Sequence, residues 1–443
     1  MTGPAERTLN RRILALAVPA LGALIAEPLF LLADSAIIGH LGTAALAGLA
    51  IAAGVLTTAV GMSIFLAYGA TAAVARRVGA GDVRGAIEHG VDGMWLAVFI
   101  GCALAAVIAP AAGGLVTLLG GRGDVAIQAT LYLRWSTIGL PAMLLVLACT
   151  GALRGLQRTV PPLVVAAVGA VLNAGLNVLL VYGLGMGIAG SALGTVIVQI
   201  LMAVTLTGAV LRSARGERLR LVPSVHRIGS AGRAGFWVFV RTLSIRAAVL
   251  AAVAVGAAKG EVALAGLQIT MNVWNLLALA LDAIAIAAQA LTGQALGAGD
   301  AATARALTRR MLRAGCWGGL ALGVLLAAAA PFVGRLFTPD PAVIGAVTAS
   351  CLVLAAGQLL SGWVFVLDGV LLGAGDGRYL AITGLLNLVC LAPALGLVLA
   401  YAGGGAVGLT WLWTAYIGGY MTSRAVTLGL RYRTDGWLVI GLR

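Results

Sequence analysis

Charge is what this 443-residue chain has least of: Asp, Glu, Lys and Arg together make up 10% of it, against 61% hydrophobic residues. A soluble domain of this size needs charge over its surface, and no globular core could hide so much apolar side chain. The mean hydropathy of +1.04 points the same way. Lipid is the expected solvent, and the bilayer the first expected partner.

Reactive chemistry is scarce as well. The 3 histidines, His40, His89 and His226, lie far apart and near loops, and no HExxH pattern sets two of them on a metal. No GxxxxGK[ST] loop is present to cradle nucleotide phosphates, which argues against ATP-driven pumping by this chain alone. The 5 cysteines (Cys102, Cys149, Cys316, Cys351 and Cys390) stand singly in apolar runs and make neither a metal site nor a disulfide framework. Each reads as a small buried apolar residue. An enzyme is therefore not expected, nor a cofactor.

What the chain does have is a formal net charge of +14. Its arginines sit at the ends of apolar runs, not in one groove interleaved with aromatics, so nucleic acid is not an expected partner. They read as an orientation signal. Apolar runs predict spans near 13–38, 45–75, 86–112, 125–152, 160–182, 187–211, 231–257, 263–294, 303–331, 342–371, 378–401 and 405–430. Pro19, Pro28 and Pro141 offer reasons for kinks in the longer ones. The polar stretch Met1 to Arg12 precedes a run too long for a signal-peptide core, which makes that run a retained first span. Arg7, Arg11, Arg12, Arg76, Arg77, Arg84, Arg154, Arg158, the arginines from Arg212 to Arg233, those from Arg305 to Arg313, and Arg378, Arg424, Arg431, Arg433 and Arg443 fall on one side. The other side keeps Arg122, Lys259 and Arg335. An even span count with this asymmetry puts both termini in the cytoplasm of a multi-pass protein of the cell (inner) membrane.

The two halves repeat each other. Leu46-Ala47-Gly48-Leu49 matches Leu264-Ala265-Gly266-Leu267, and Gly79-Ala80-Gly81-Asp82 matches Gly297-Ala298-Gly299-Asp300. Gly151, Gly155 and Gly190 match Gly369, Gly373 and Gly408, and every pair is displaced by the same 218 positions. Six spans per half means the copies enter the membrane in one direction, so the expected architecture is all-α, about twelve transmembrane helices in two six-helix bundles related by a pseudo-twofold along the membrane normal. The expected parts are an N-terminal lobe over 1–211, a cytoplasmic linker over 212–230 and a C-terminal lobe over 231–443. Two lobes around a shared cavity suit alternating access. Nothing requires more than a monomer.

An ionisable side chain within a span costs roughly 2.5–3.5 kcal/mol on insertion scales, so each one retained is a functional candidate. Asp34 leads, and Glu27 precedes it by close to two helical turns on the same face. Asn173 and Asn177 share one face of the fifth span, and Thr195 and Gln199 one face of the sixth. Oxygen ligands around one carboxylate can hold sodium, and a carboxylate in a partly apolar pocket can carry a proton. In the second half Gln268, Asn275, Asp282 and Gln289 recur every seventh residue along one side of the eighth span and are candidates to line a substrate cavity. Arg241 and Arg246 are conceivable counter-charges for Asp282 or Glu27, and Asp368 reads first as a gate or interfacial contact. The bland reading of the amides and hydroxyls is helix-to-helix bonding.

Leu32-Ala33-Asp34-Ser35-Ala36-Ile37-Ile38-Gly39-His40-Leu41-Gly42, Thr292-Gly293-Gln294-Ala295-Leu296-Gly297-Ala298 and Leu367-Asp368-Gly369 together resemble the MATE (multidrug and toxic-compound extrusion) family, in its DinF-like branch. The resemblance spans essentially the whole chain. It implies a two-lobe antiporter that expels small organic compounds, often cationic or amphipathic, against protons or sodium, with plant relatives that look like organic-acid exporters. It maps Asp34, Asn173, Asn177 and Thr195 onto a cation-handling cluster. Many relatives carry an aspartate where this chain has Asn177, and the missing carboxylate favours protons over sodium, with Glu27 as a replacement acid. A flippase of lipid-linked precursors is the chief rival, but it calls for a cationic cavity and extra helices. A channel or receptor remains the outside reading.

Overall fold

The computed structural model describes residues 4–214, 220–223 and 225–442, and among these it leaves the side chains of 4–10, 27, 225–227 and 230 undescribed. Lipid offers the backbone no hydrogen bonds, so a spanning segment must satisfy its own, and the chain does so as helix throughout. In order these are α1 (Pro4–Gly39), α2 (Thr43–Met62), α3 (Phe65–Gly79), α4 (Val83–Leu118), α5 (Gly123–Thr137), α6 (Leu140–Gly155), α7 (Val160–Val178) and α8 (Gly187–Arg212). There follow α9 (Val225–Ala258), α10 (Glu261–Gly297), α11 (Ala301–Val333), α12 (Pro341–Gly373), α13 (Gly377–Tyr401), α14 (Gly405–Thr414) and α15 (Thr422–Arg433). No strand occurs among the described residues.

Ten of the helical runs among the described residues are long and apolar enough to cross a bilayer, and α5 with α6, bent by 53°, make an eleventh. That bend lies where Pro141 opens α6, because proline suits the first turn of a helix but not the interior of one. Pro19 and Pro28 do not break α1, which runs through both. The twelfth expected span, 405–430, is α14 and α15 joined without a gap by a π-helical stretch, Ala415–Met421. Among the described residues the fold is thus all-α and membrane-integral, with eleven membrane-length spans and the twelfth expected one present as this interrupted helix.

The helices form two compact units, Leu14–Phe236 and Met1–Ile13 with Trp237–Arg443. In the first, α4 and α3 pack on α6, and α2 on α5; in the second, α12 packs on both α10 and α11. Of the segment expected as a linker, 215–219 and 224 lie outside the described residues, while 225–230 already belong to α9. Arg212 closes α8, and the stretch from 220 to 223 is tied to α4: Trp95 Nε1 donates to the Leu221 carbonyl at 2.9 Å, and the Arg220 amide to Glu88 Oε1 at 3.3 Å.

The repeat is written into the geometry of each unit. A side-chain carbon on Gly151 would stand 2.3 Å from the Ala67 carbonyl oxygen, and one on Gly369 would stand 2.3 Å from that of Ala285. Both pairs mark a helix crossing too close for any side chain, as small residues allow in membrane bundles. The turns repeat too. Gly81 and Gly299 take φ of +80° and +76°, and each precedes an aspartate that caps the next helix, Asp82 accepting from the Gly85 amide and Asp300 from the Thr303 amide, both at 2.8 Å.

Two expectations need correction. Cys102 and Cys390 are exposed and Cys316 half-buried, with only Cys149 and Cys351 interior; where the outer surface meets lipid, an apolar thiol gains little by burial. Arg76, Arg154 and Arg424, read as loop-end charges, are buried at 4%, 7% and 9% exposure. Arg76 and Arg154 occupy the last turns of α3 and α6, where a cation meets the negative end of the helix dipole.

Candidate ion and substrate site

Asp34 lies one turn before the end of α1 and is 4% exposed. A bare carboxylate at that depth is costly, so its partners matter. Asn177, from α7, donates its amide to Asp34 Oδ1. The same amide lies 3.3 Å from Asn173 Oδ1, and Asn173 in turn donates to Thr195 Oγ1 of α8 at 2.9 Å. Four residues from three helices therefore form one hydrogen-bonded chain. Asn173 and Asn177 are fully buried behind the carboxylate. A π-helical stretch, Leu179–Gly183, follows directly, and within it Tyr182 donates to the Ile37 carbonyl, tying α7 back to α1 just beyond Asp34.

In front of Asp34 opens a cavity of about 220 Å³, contained within the first unit. Thr195, Gln199 and Tyr132 share its wall with Asp34, while most of the lining is apolar, from Phe30 and Leu31 through Leu56, Val60, Met143 and Val146. Arg154 also reaches it. Tyr132 is 4% exposed and its phenol interacts with the Asp34 carboxylate; Ser136 and Ser191 flank that phenol. The Asn177 Oδ1, Ser136 Oγ and Ser191 Oγ atoms are buried with no well-formed hydrogen bond among the described residues. The arrangement offers one acid, several neutral oxygens, the Arg154 guanidinium and an apolar enclosure, a set that can hold a proton or a hard cation at the acid and an apolar body beside it.

Tyr132, Ser136, Ser191 and Gly194 were not picked out from the sequence. Ser191, Thr195 and Gln199 form one four-residue series along α8, and Tyr132 with Ser136 another along α5, so helical spacing could have found the hydroxyls. Gly194 was beyond reach: a side-chain carbon there would sit 2.5 Å from Asn177 Oδ1, a fact of packing alone. Glu27 is on α1, but its side chain lies outside the described residues.

The candidates of the second unit do not gather at one point. Along α10, Gln268 and Asn275 are exposed, Asp282 is half-buried and Gln289 is 1% exposed; Arg246 on α9 is exposed. Asp368 is 7% exposed and accepts from Arg241 Nε at 3.1 Å and from Arg241 Nη2, with Arg424 Nη2 at 3.4 Å from Oδ1. Arg424 also lies over the Tyr420 ring, at 5.9 Å, at the end of an aromatic series running from Trp274 through Trp413 and Tyr416.

A family model, MatE, matches this chain twice, over residues 19–179 and again over 242–402, one match in each half. The chain belongs to the MatE family. Among its relatives, Protein DETOXIFICATION 44, chloroplastic, of Arabidopsis thaliana is 30% identical, the alignment covering 90% of this chain and 80% of that one. The DNA damage-inducible protein F of Escherichia coli (strain K12) is 28% identical over 81% of this chain and 79% of its own. Among solved structures, a MATE protein in the bent conformation superposes with a TM-score of 0.88 at 22% identity, over 97% of this chain and 96% of that one. Members of the MatE family are transporters and not enzymes, so this chain is a multi-pass membrane transporter of small molecules, of the multidrug and toxic-compound efflux kind, driven by ions without a cofactor.

Proposed function

We propose that this MatE transporter exports small organic compounds, cationic or amphipathic, in exchange for protons, and that Asp34 is the exchanging carboxylate. The observation that carries this is one buried acid on the wall of an otherwise mainly apolar cavity, backed by two amides and a threonine hydroxyl. A cation with an apolar body gains from both features at once, and protonation of Asp34 removes the charge that holds it. Cargo and proton then compete for one group, which is the minimum an antiporter needs. In this reading the lobes 1–211 and 231–443 alternate access about the linker 212–230, as a monomer in the cell (inner) membrane with both termini cytoplasmic.

Sodium is the second reading. It is favoured by Asn177 Oδ1, an oxygen of the type hard cations take, which has no well-formed hydrogen bond among the described residues while the amide of the same side chain donates to Asp34. The test is transport of a fluorescent organic cation in proteoliposomes, first under a proton gradient alone and then under a sodium gradient alone, with Asp34→Asn beside the parent. Proton-driven transport lost in the variant supports the proposal, and sodium-driven transport lost in it moves the reading to sodium. If the variant matches the parent, Asp34 is not the exchanger, and an organic acid or a lipid-linked precursor becomes the cargo to try.

A further inference from the structure

A second hollow, of about 180 Å³, opens on the outer side of the α7 and α8 pair in the first unit. Its rim is apolar and exposed: Val164, Val168, Leu172 and Leu201 are between 44% and 52% exposed. Among the described residues no charged group lines it, and the one hydroxyl there, on Thr205, is spent on the Leu201 carbonyl at 2.7 Å. Such a groove has nothing to offer a polar ligand. In a membrane protein its natural surroundings are hydrocarbon.

Among the described residues, only Met202 lines both this groove and the Asp34 cavity. Its side chain lies across Gly169: a carbon added to that glycine would meet Met202 Sδ at 2.7 Å and Cγ at 3.2 Å, with the cavity-lining Phe30 ring at 3.5 Å. In the wall between groove and cavity, which Ala166, Val198 and the Phe30 ring also build, the thioether rests on a residue without a side chain. Methionine is unbranched, with three rotatable side-chain bonds, and a thioether can swing aside where a branched chain would jam.

We infer that the α7/α8 groove is a lateral passage for the apolar tail of an amphipathic cation, with Met202 as its gate. The inference rests on the export reading above and extends it. Charge and polarity choose the occupant: a molecule in the bilayer can lay its tail along Val168 and Leu172 while its head reaches Asp34 past Met202. Cargo is then drawn from lipid as well as from water. A headless hydrocarbon has no partner for Asp34, and a compact cation has no use for the groove.

The experiment compares octyltrimethylammonium with tetramethylammonium, which carries the same head without the tail, in proteoliposomes under the gradient that drives the parent. Val168→Trp fills the groove outside the cavity. Displacing about two methylenes of tail should slow the octyl compound about tenfold, with tetramethylammonium unchanged. Met202→Ala thins the wall and should speed the octyl compound. Leu172→Trp serves as a second plug if Val168→Trp does not yield folded protein. A plug that slows both cations alike, or neither, overturns the passage while leaving the export reading intact, and so does a Met202→Ala rate for the octyl compound no higher than the parent's. A parent that moves neither cation overturns the export reading and the passage with it.

Discussion

Asn177 donates to Asp34 across 143 positions of chain, so the acid of the first span is held by an amide of the fifth. Replacing Asn177 by alanine removes a hydrogen bond to a buried carboxylate, and coupled transport is expected to fall at least about tenfold, since such bonds contribute roughly 1.5–3 kcal/mol. Asn177→Asp sets a second acid against the first. Transport by that variant should become responsive to a sodium gradient, read in the same proteoliposome assay with the two gradients applied separately.

Gly194 makes room for that amide. A valine there would drive a carbon into Asn177 Oδ1, which now lies 2.5 Å from where it would sit. Gly194→Val is expected to impair transport as Asn177→Ala does, and the double variant to be no worse than either single one, because both break the same contact. Additive losses would show that Gly194 matters for some other reason.

Asp368 stands between Arg241 and Arg424, and the three are 7%, 9% and 9% exposed. Asp368→Asn leaves two buried guanidiniums without their shared carboxylate, and thermal unfolding in detergent should show a loss of about 3 kcal/mol. Adding Arg424→Met to that variant should restore part of it, because the charge left uncompensated is then smaller.

At the start of α11, Asp300 accepts from the Thr303 amide at 2.8 Å, and the Thr303 hydroxyl and amide together hold its carboxyl below the usual carboxylate value of 3.8. A folded value below the unfolded one stabilises the protein fully at neutral pH, and the contribution disappears as pH falls through the folded value. Asp300→Ala should therefore lower Tm at pH 7, and the gap between variant and parent should close as the pH is taken below 3.8. A gap independent of pH would mean that the cap acts through geometry alone.

Much of this was legible in the residues. The twelve spans follow from apolar runs because lipid enforces one rule on every segment, and the 218-residue register followed from glycines whose reason the packing supplies: Gly151 and Gly369 each lie against a carbonyl on a neighbouring helix. Asp34, Asn173, Asn177 and Thr195 stood out because polar groups are few in these spans, and the structure brings all four together. Asp368 with Arg424 did not stand out as a pair. Arg424 looks in sequence like any arginine near a helix end, and only the packing of α15 on α12 encloses it.

Composition, hydropathy and spacing by themselves determined the solvent, the spans, the duplication and the polar residues worth attention, because each is a property of single segments against lipid. Which helix faces which, and hence that Asn177 rather than Gln199 holds Asp34, that Gly194 yields space to the amide and that Met202 lines both groove and cavity, was decided only by the tertiary structure. Those relationships depend on how helices far apart in the chain rotate against one another, and a helix's own pattern leaves that rotation open.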